Sequence, residues 1–534
     1  MEGTFKKKLS LLDLTFLGLG SIIGSGWLLA SMNGAKYAGS IAWVAWVGGA
    51  IAVLLIGLVY GELAAALPRA GGFVRYPEYT HGSLVGFLSG MASLLAYSSV
   101  AGIEVEAVVS HASYYWPALM GSAGPSLTGR AIEILLLLLF FLLNYWSVNV
   151  FGKINTIITF FKFVVPSVTI ITLFFFFKEA NFATVGAAPG GAEGVFTAIS
   201  GGGIIFAFLG FRQAVDFGAE AKNPQRDIPR AIIMAVTLGT IVYILLQVTF
   251  LGTVPSNALA SGWGHVADFM PKSANYPFVW IAGSLGLSWL STLLLVDAVI
   301  SPAGTGNIYL SGTGRVLYAW AKNRHFYSWF AKVNPRTGVP RAALWLSFLL
   351  AIAWILPPNT DTWSKLVDAV TSATVMTYMI GPISMTSMRK TMPNMKRPFT
   401  LKGGSVLSPL AFIAATCIIY WAGWTTDSML IGLTLGALVL YFAFIDKDES
   451  TRASLKQAWK SGAWLVVYYI FILVMSYIGS FGPMKSPWIP GQWDTVVVVI
   501  GAIILFYWGV NSALPKPSFE TDSEGEAPPE FVQA

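Results

Sequence analysis

The sequence predicts an all-α protein that crosses a lipid bilayer about fourteen times. Two five-helix repeats of inverted orientation come first, and about four further transmembrane helices follow. Three observations predict this. Of 534 residues, 55% are hydrophobic and only 11% charged, with a mean hydropathy of +0.65, whereas soluble domains carry about 25% charged residues. Apolar runs of roughly 18 residues or more recur along the chain, each long enough to span about 30 Å of hydrocarbon. The first and sixth runs are both interrupted by glycine clusters.

Residues 1–10 form a basic N-terminal segment with no apparent cleavable signal, because the apolar stretch after it is too long for a signal core. The first repeat, residues 11–180, holds apolar runs at 11–36, 41–66, 83–110, 131–150 and 155–177. The second, 181–390, holds 195–221, 230–253, 278–320, 341–357 and 366–388. Its run 278–320 is long enough for one tilted helix continuing beyond the membrane. Residues 391–512 carry the accessory runs 406–424, 428–445, 462–480 and 493–512, and 513–534 read as a disordered acidic tail.

Charge tests this order. With both termini cytoplasmic, 25 Lys and Arg fall on the cytoplasmic side and 6 on the other, leaving 2 in membrane segments. A wrong number of crossings would scramble that asymmetry. The net charge of +7 then reflects loops beside anionic lipid and needs no nucleic acid. A single cysteine, four scattered histidines and the lack of nucleotide or hydrolase motifs argue against an enzyme, a metal site or a cofactor.

The interrupted runs read GLGSIIGSGW (Gly18 to Trp27) and SGGGIIFAFLGFRQAVDFGAE (Ser200 to Glu220). Mid-span glycines weaken a helix by roughly 1 kcal/mol each relative to alanine. Close packing of small residues accounts for one such cluster. Two clusters five spans apart fit paired broken helices around a ligand site at mid-membrane depth.

Four pieces of sequence resemble the amino acid–polyamine–organocation (APC) superfamily of permeases. They are GSIIGSGW, then YGELAAALPRAGGFVRYPEY from Tyr60, FGAEAKNPQRDIPRAI from Phe217, and GRVLYAWAKNRHFYSWFAKVNPRTGVPRAAL from Gly314. Together they cover the first ten runs, and Ala219-Glu220 replaces the commoner Glu-Glu. The string VDAVISPAGTGNIYLSGTGR with Arg212 is most similar to the bacterial and archaeal aspartate–proton symporter branch. The resemblance implies a leucine-transporter-like fold in the cell membrane, and secondary transport of an amino acid coupled to protons. An acidic substrate, aspartate or glutamate, is favoured. A neutral or broad-range permease and an amino acid/amine exchanger stay open.

An amino acid in a dry site needs partners for its carboxylate and ammonium. Backbone N–H groups of Ser25, Gly26 and Trp27, where the first helix restarts, suit the carboxylate. Carbonyls of Ile22, Ile23, Phe206, Ala207 and Leu209 suit the ammonium. Phe208, Phe211 and Tyr309 are expected to close the pocket, with Trp27 in the same class, although aromatic stripes commonly only pack.

Arg212, near mid-membrane, either forks onto a substrate carboxylate or pairs internally with Asp216, Glu104 or Glu106. Lys162, deep in the fifth run, matches the lysine that replaces a bound sodium ion in proton-coupled members, so the resemblance implies a residue that gains and loses a proton. Asp297, Glu104 and Asp216 are further proton-coupling candidates. Glu62 and Asp368 lie nearer run ends, where structural or solvated roles are expected.

Overall fold

The computed structural model describes residues 4–517 and 519, apart from 123, 147, 184–187, 271–275, 357–362, 445–448, 485 and 490–492. The acidic tail lies outside the described residues, Phe519 excepted, as do Lys272 and Lys485 of the charge tally. What is described is almost entirely helical. In the first repeat these are α1 (Leu11–Ile22), α2 (Gly26–Ala38), α3 (Ala42–Ala66), α4 (Gly72–His81), α5 (Ser83–Ala112), α6 (Leu127–Trp146) and α7 (Val148–Phe174). The second repeat has α8 (Gly191–Gly201), α9 (Ile204–Phe208), α10 (Gln213–Asp216), α11 (Pro224–Thr253), α12 (Pro277–Ser284), α13 (Ser288–Lys322), α14 (Arg341–Ile355), α15 (Trp363–Tyr378) and α16 (Ile380–Thr391). Then come α17 (Gly404–Trp421), α18 (Trp424–Gly436), α19 (Leu438–Phe444), α20 (Glu449–Ile478) and α21 (Trp493–Ser512).

Ten helices among the described residues are long and apolar enough to cross a membrane, or eleven counting the pair around Gly202–Gly203, which bends by 47°. The first run adds none of its own because α1 is short and α2 continues into α3 as one stretch, Gly26–Ala66; the ninth fails because α14 is short, and the tenth because it divides at Met379 into α15 and α16. A bilayer explains the outward faces. On α7, Ile157, Phe160, Val164 and Ile171 are all exposed at helical spacing, a stripe that water would penalise. Lys162 sits on the opposite face and is fully buried.

The repeats are visible in the packing. The most extensive helix contacts join α5 to α13 and α3 to α11. These pairs are the third with the eighth run and the second with the seventh, so corresponding members of the two repeats lie against each other.

Both glycine clusters break their helices. α1 stops at Ile22 and α2 starts at Gly26. α8 stops at Gly201, and Gly203 at φ 84° ends the run in a left-handed conformation that a side chain would disfavour. A 3-10 turn, Leu209–Arg212, then leads into α10.

The broken helices meet at Gly210. A Cβ there would lie 2.4 Å from the Ile22 backbone nitrogen and 2.4 Å from the Ser21 carbonyl carbon. Backbone cannot retreat as a flexible side chain can, so Gly210→Ala is expected to cost about 1–3 kcal/mol. A lowered melting temperature and reduced recovery of folded protein from membranes would show this, and an unchanged midpoint would contradict it.

One expectation is corrected. The run 278–320 is not one helix, since α12 and α13 are separated at Leu285–Leu287 with Gly286 at φ 73°. The run 428–445 falls in one 19-residue apolar stretch, Trp424–Phe442, with a turn at Ala437 between α18 and α19. After the second run, residues 72–81 form α4. This helix is held from two sides. Tyr60 of α3 stacks on Phe73 at 3.7 Å, and the end of α21 returns to its far end. There His81 Nε2 lies 2.9 Å from the Gly509 carbonyl, and Leu514 N–H donates to the Thr80 carbonyl at 2.8 Å.

Candidate functional site

Two buried polar clusters flank the crossing of the broken helices. The first lies where α1 ends. Its last carbonyls point off the helix and carry the negative end of the macrodipole. Lys162 Nζ donates to the Gly20 carbonyl and, at 2.8 Å, to Thr305 Oγ1 of α13. That hydroxyl lies 3.0 Å from Gly20 O and 3.4 Å from Ile23 O. Glu104 and Asp297 are the acids in electrostatic reach of Lys162. Asp297 Oδ1 accepts from Ser301 at 2.8 Å. The lysine is thus a fully enclosed cation joining α1, α7 and α13.

Glu104 does a second thing. Its Oε2 accepts the Ser25 N–H at 3.2 Å, so a carboxylate of the protein stands at the positive start of α2. Of the three N–H groups expected to be open there, Ser25's is therefore engaged. Glu106, two residues on, is on another face, with Glu133 a like charge within electrostatic reach.

The second cluster surrounds Arg212, which is fully buried. Its Nε donates to Asp216 Oδ2 at 3.0 Å and its Nη1 to Thr377 Oγ1 at 3.1 Å. The guanidinium lies 4.0 Å from the Tyr97 ring centroid and 4.3 Å from that of Phe73. Tyr97 Oη donates to the same Asp216 oxygen at 2.8 Å. Of the internal partners considered, Asp216 is the one bonded to Arg212. Among the described residues, Arg212 Nη2, Asp216 Oδ1 and both amide atoms of Gln213 have no hydrogen-bond partner. Tyr309 spans the two clusters. It packs on Tyr97 at 5.0 Å between ring centroids and is within electrostatic reach of Arg212, Asp216 and Glu104.

Other candidates sit differently from expectation. Carbonyls proposed for the substrate ammonium are engaged by hydroxyls of the protein. Tyr243 Oη donates to Ile22 O at 2.7 Å and lies 3.5 Å from Ala207 O. Tyr378 Oη donates to Leu209 O at 2.6 Å, and the Leu209 N–H bonds Phe206 O. Phe208 and Phe211 do not form a lid with Tyr309. Phe208 packs on Trp46 and Tyr243, and Phe211 on Phe73 and Tyr378, rings that stand against the Arg212 guanidinium. Gly26 faces Phe206 and Ala207, where a Cβ would meet ring and backbone within 3.5 Å. Trp27 stands against Phe278 at 5.6 Å.

Glu62 is structural: it pairs with Arg389 and accepts the Leu401 N–H at 2.7 Å. Asp368 Oδ1 lies 4.0 Å from where a Cβ on Gly201 would stand, beside the glycine break, and has no hydrogen-bond partner among the described residues. Sequence reasoning did not single out Tyr97, Tyr243, Thr305, Thr377, Tyr378 or Gln213. A hydroxyl or amide in an apolar run was the available signal, and it is weak taken alone. Among the described residues no group of His, Cys, Asp and Glu is placed to hold a metal ion.

The glycine-broken pair and a lysine in the fifth run are features that the permease resemblance led one to expect. The comparison with known proteins decides the matter, since the family model described as amino acid permease matches residues 9–445. The chain belongs to the amino acid permease family. The aspartate-proton symporter of Bacillus subtilis (strain 168) is 44% identical to this permease over 98% of the chain and 99% of the relative. The glutamate/serine transporter AimA of the same organism is 37% identical over 95% and 94%. A branched-chain amino acid permease, BcaP, is 26% identical over 84% and 95%. All three relatives are transporters, and the permease is a multi-pass membrane protein with the 5+5 inverted-repeat fold.

Proposed function

We propose that this permease takes up an acidic amino acid, aspartate or glutamate, together with a proton by alternating access in the cell membrane, with both termini cytoplasmic. It is read as a carrier without covalent chemistry. The observation that carries the acidic substrate is the Arg212 cluster. A fully buried guanidinium with one unpartnered nitrogen, beside an unpartnered Gln213 amide, leaves donors that a second carboxylate would satisfy. Similarity across nearly the full length to an aspartate-proton symporter supports the same reading.

In the proposed cycle the substrate's α-carboxylate takes the start of α2, where Glu104 now accepts from Ser25. The released Glu104 stays within electrostatic reach of Lys162. Lys162, and with it Asp297, then governs the proton, which leaves toward the cytoplasm after the half-helices close. Asp216 holds Arg212 until the substrate arrives.

One observation favours a second reading. Arg212 is already paired with Asp216, as a neutral or broad-range permease would have it. An amine exchanger differs by needing internal counter-substrate in place of a pH gradient. Counterflow in proteoliposomes with labelled aspartate, glutamate, leucine and arginine separates these. Aspartate or glutamate is expected to exchange fastest and to compete with each other. Leucine exchange unaffected by excess aspartate would sink the acidic-substrate reading.

A further inference from the structure

The open polar atoms of the Arg212 cluster are of two kinds. Among the described residues, Arg212 Nη2 and Gln213 Nε2 are nitrogens without a hydrogen-bond partner, and Gln213 Oε1 and Asp216 Oδ1 are oxygens without one. Arg212, Gln213 and Asp216 are each 0% exposed. Buried polar atoms are nearly always paired, so this set within residues 212–216 marks a place for a bonding partner.

The three side chains meet around Tyr97. Its ring centroid is 4.0 Å from the guanidinium. Its hydroxyl donates to Asp216 Oδ2 at 2.8 Å, which leaves Oδ1 as the open oxygen. Gln213 reaches the same ring beside α13. A Cβ on Gly312 would stand 2.9 Å from Gln213 Oε1 and 2.7 Å from Tyr97 Cε1, so the amide and the ring share space that this glycine leaves free. Turning the amide over exchanges its donor and its acceptor, and both are open either way.

A carboxylate only accepts. It takes bonds from Arg212 Nη2 and Gln213 Nε2, but it brings no proton to Asp216 Oδ1 or Gln213 Oε1. A protonated carboxyl or a hydroxyl brings one proton for two oxygens. An ammonium or guanidinium brings protons but no acceptor, and it would stand against the Arg212 cation. A primary amide brings both, because its NH2 donates twice and its carbonyl has two lone pairs for the two nitrogens. It matches the open set in number and in kind.

We propose that the Arg212 cluster also accepts the side-chain amide of asparagine or glutamine, and that Gln213 sets this part of the specificity. This use of the cluster rests on its reading as the pocket for the substrate's side chain. It extends that pocket from the acids to their amides, which have nearly the same size and shape. The acid gains a charge-assisted bond from Arg212. The amide gains partners for the two oxygens as well.

The test uses the full chain in proteoliposomes. Counterflow of labelled asparagine and glutamine is measured beside that of aspartate, with each unlabelled amino acid as competitor. Asparagine or glutamine is expected to exchange and to be displaced by excess aspartate. Gln213→Met, close to glutamine in length but without the amide, should lower the amide-to-acid exchange ratio about tenfold, since the amide loses one more bond than the acid. A merely structural glutamine would lower both substrates alike, and that result overturns the role of Gln213. If neither amide exchanges or displaces aspartate in the parent, the proposal is overturned, and ordered water is then what completes the cluster. Exchange of an amide without exchange of aspartate leaves the proposal standing and refutes the acidic reading instead.

Discussion

Lys162→Ala is expected to abolish pH-gradient-driven accumulation while substrate exchange between equal pools persists. The ammonium lies within electrostatic reach of Glu104 and Asp297, and its bonds go to Gly20 and Thr305. Removing it leaves two buried carboxyls that must be neutral or cost about 3–5 kcal/mol as unpaired charges. Each then holds its proton through the cycle, so an inward pH gradient no longer drives substrate. Accumulation driven by the gradient should fall to the level set by exchange alone. Counterflow in the same vesicles shows that the variant is folded, and full retention of pH-driven uptake would refute the role of Lys162.

Arg212→Ala should be the most damaging change in the second cluster. It strands Asp216 in a fully buried setting and removes the cation from the Tyr97 and Phe73 faces. The expected loss is about 3–5 kcal/mol for the broken pair. Arg212→Ala/Asp216→Ala should recover much of that stability, because no charge is left unpaired. The double variant then isolates selectivity from folding. Preference for aspartate over leucine is expected to fall about 10–100-fold, the worth of bonds to a charged group. If the preference survives in a stable double variant, Arg212 holds the helix and not the substrate. Lysine is a poor replacement here, since it lacks the planar fork that reaches Asp216 and Thr377 together.

Hydropathy made the helical runs legible because length and apolarity are local properties. The breaks were legible too, since GSIIGSGW and SGGG put glycine where a helix least tolerates it. Lys162 and Arg212 stood out because a charge at that depth has few explanations.

What stayed hidden were pairings between distant segments. Nothing in GIEVEAVV distinguishes Glu104, which reaches Ser25, from Glu106, which lies within electrostatic reach of the like charge of Glu133. Tyr97, Tyr243 and Tyr378 read as packing aromatics, yet their hydroxyls bond an aspartate and two carbonyls of the broken helices. The reach of a tyrosine is set by helix crossings, which one sequence does not encode locally. Gly286 escaped notice for another reason: a single glycine near the edge of a long apolar run is unremarkable until the turn is seen.

The short helix α4 connects regions that hydropathy had kept apart. One end places Phe73 under the Arg212 guanidinium, and the other is fastened by His81 and Thr80 to the closing residues of α21. Any tilt of α4 that loosens the arginine must therefore stretch or drag that fastening. Through this one short helix, a side-chain contact from His81 and a backbone bond to Thr80 join the end of the accessory helices to the wall of the Arg212 cluster.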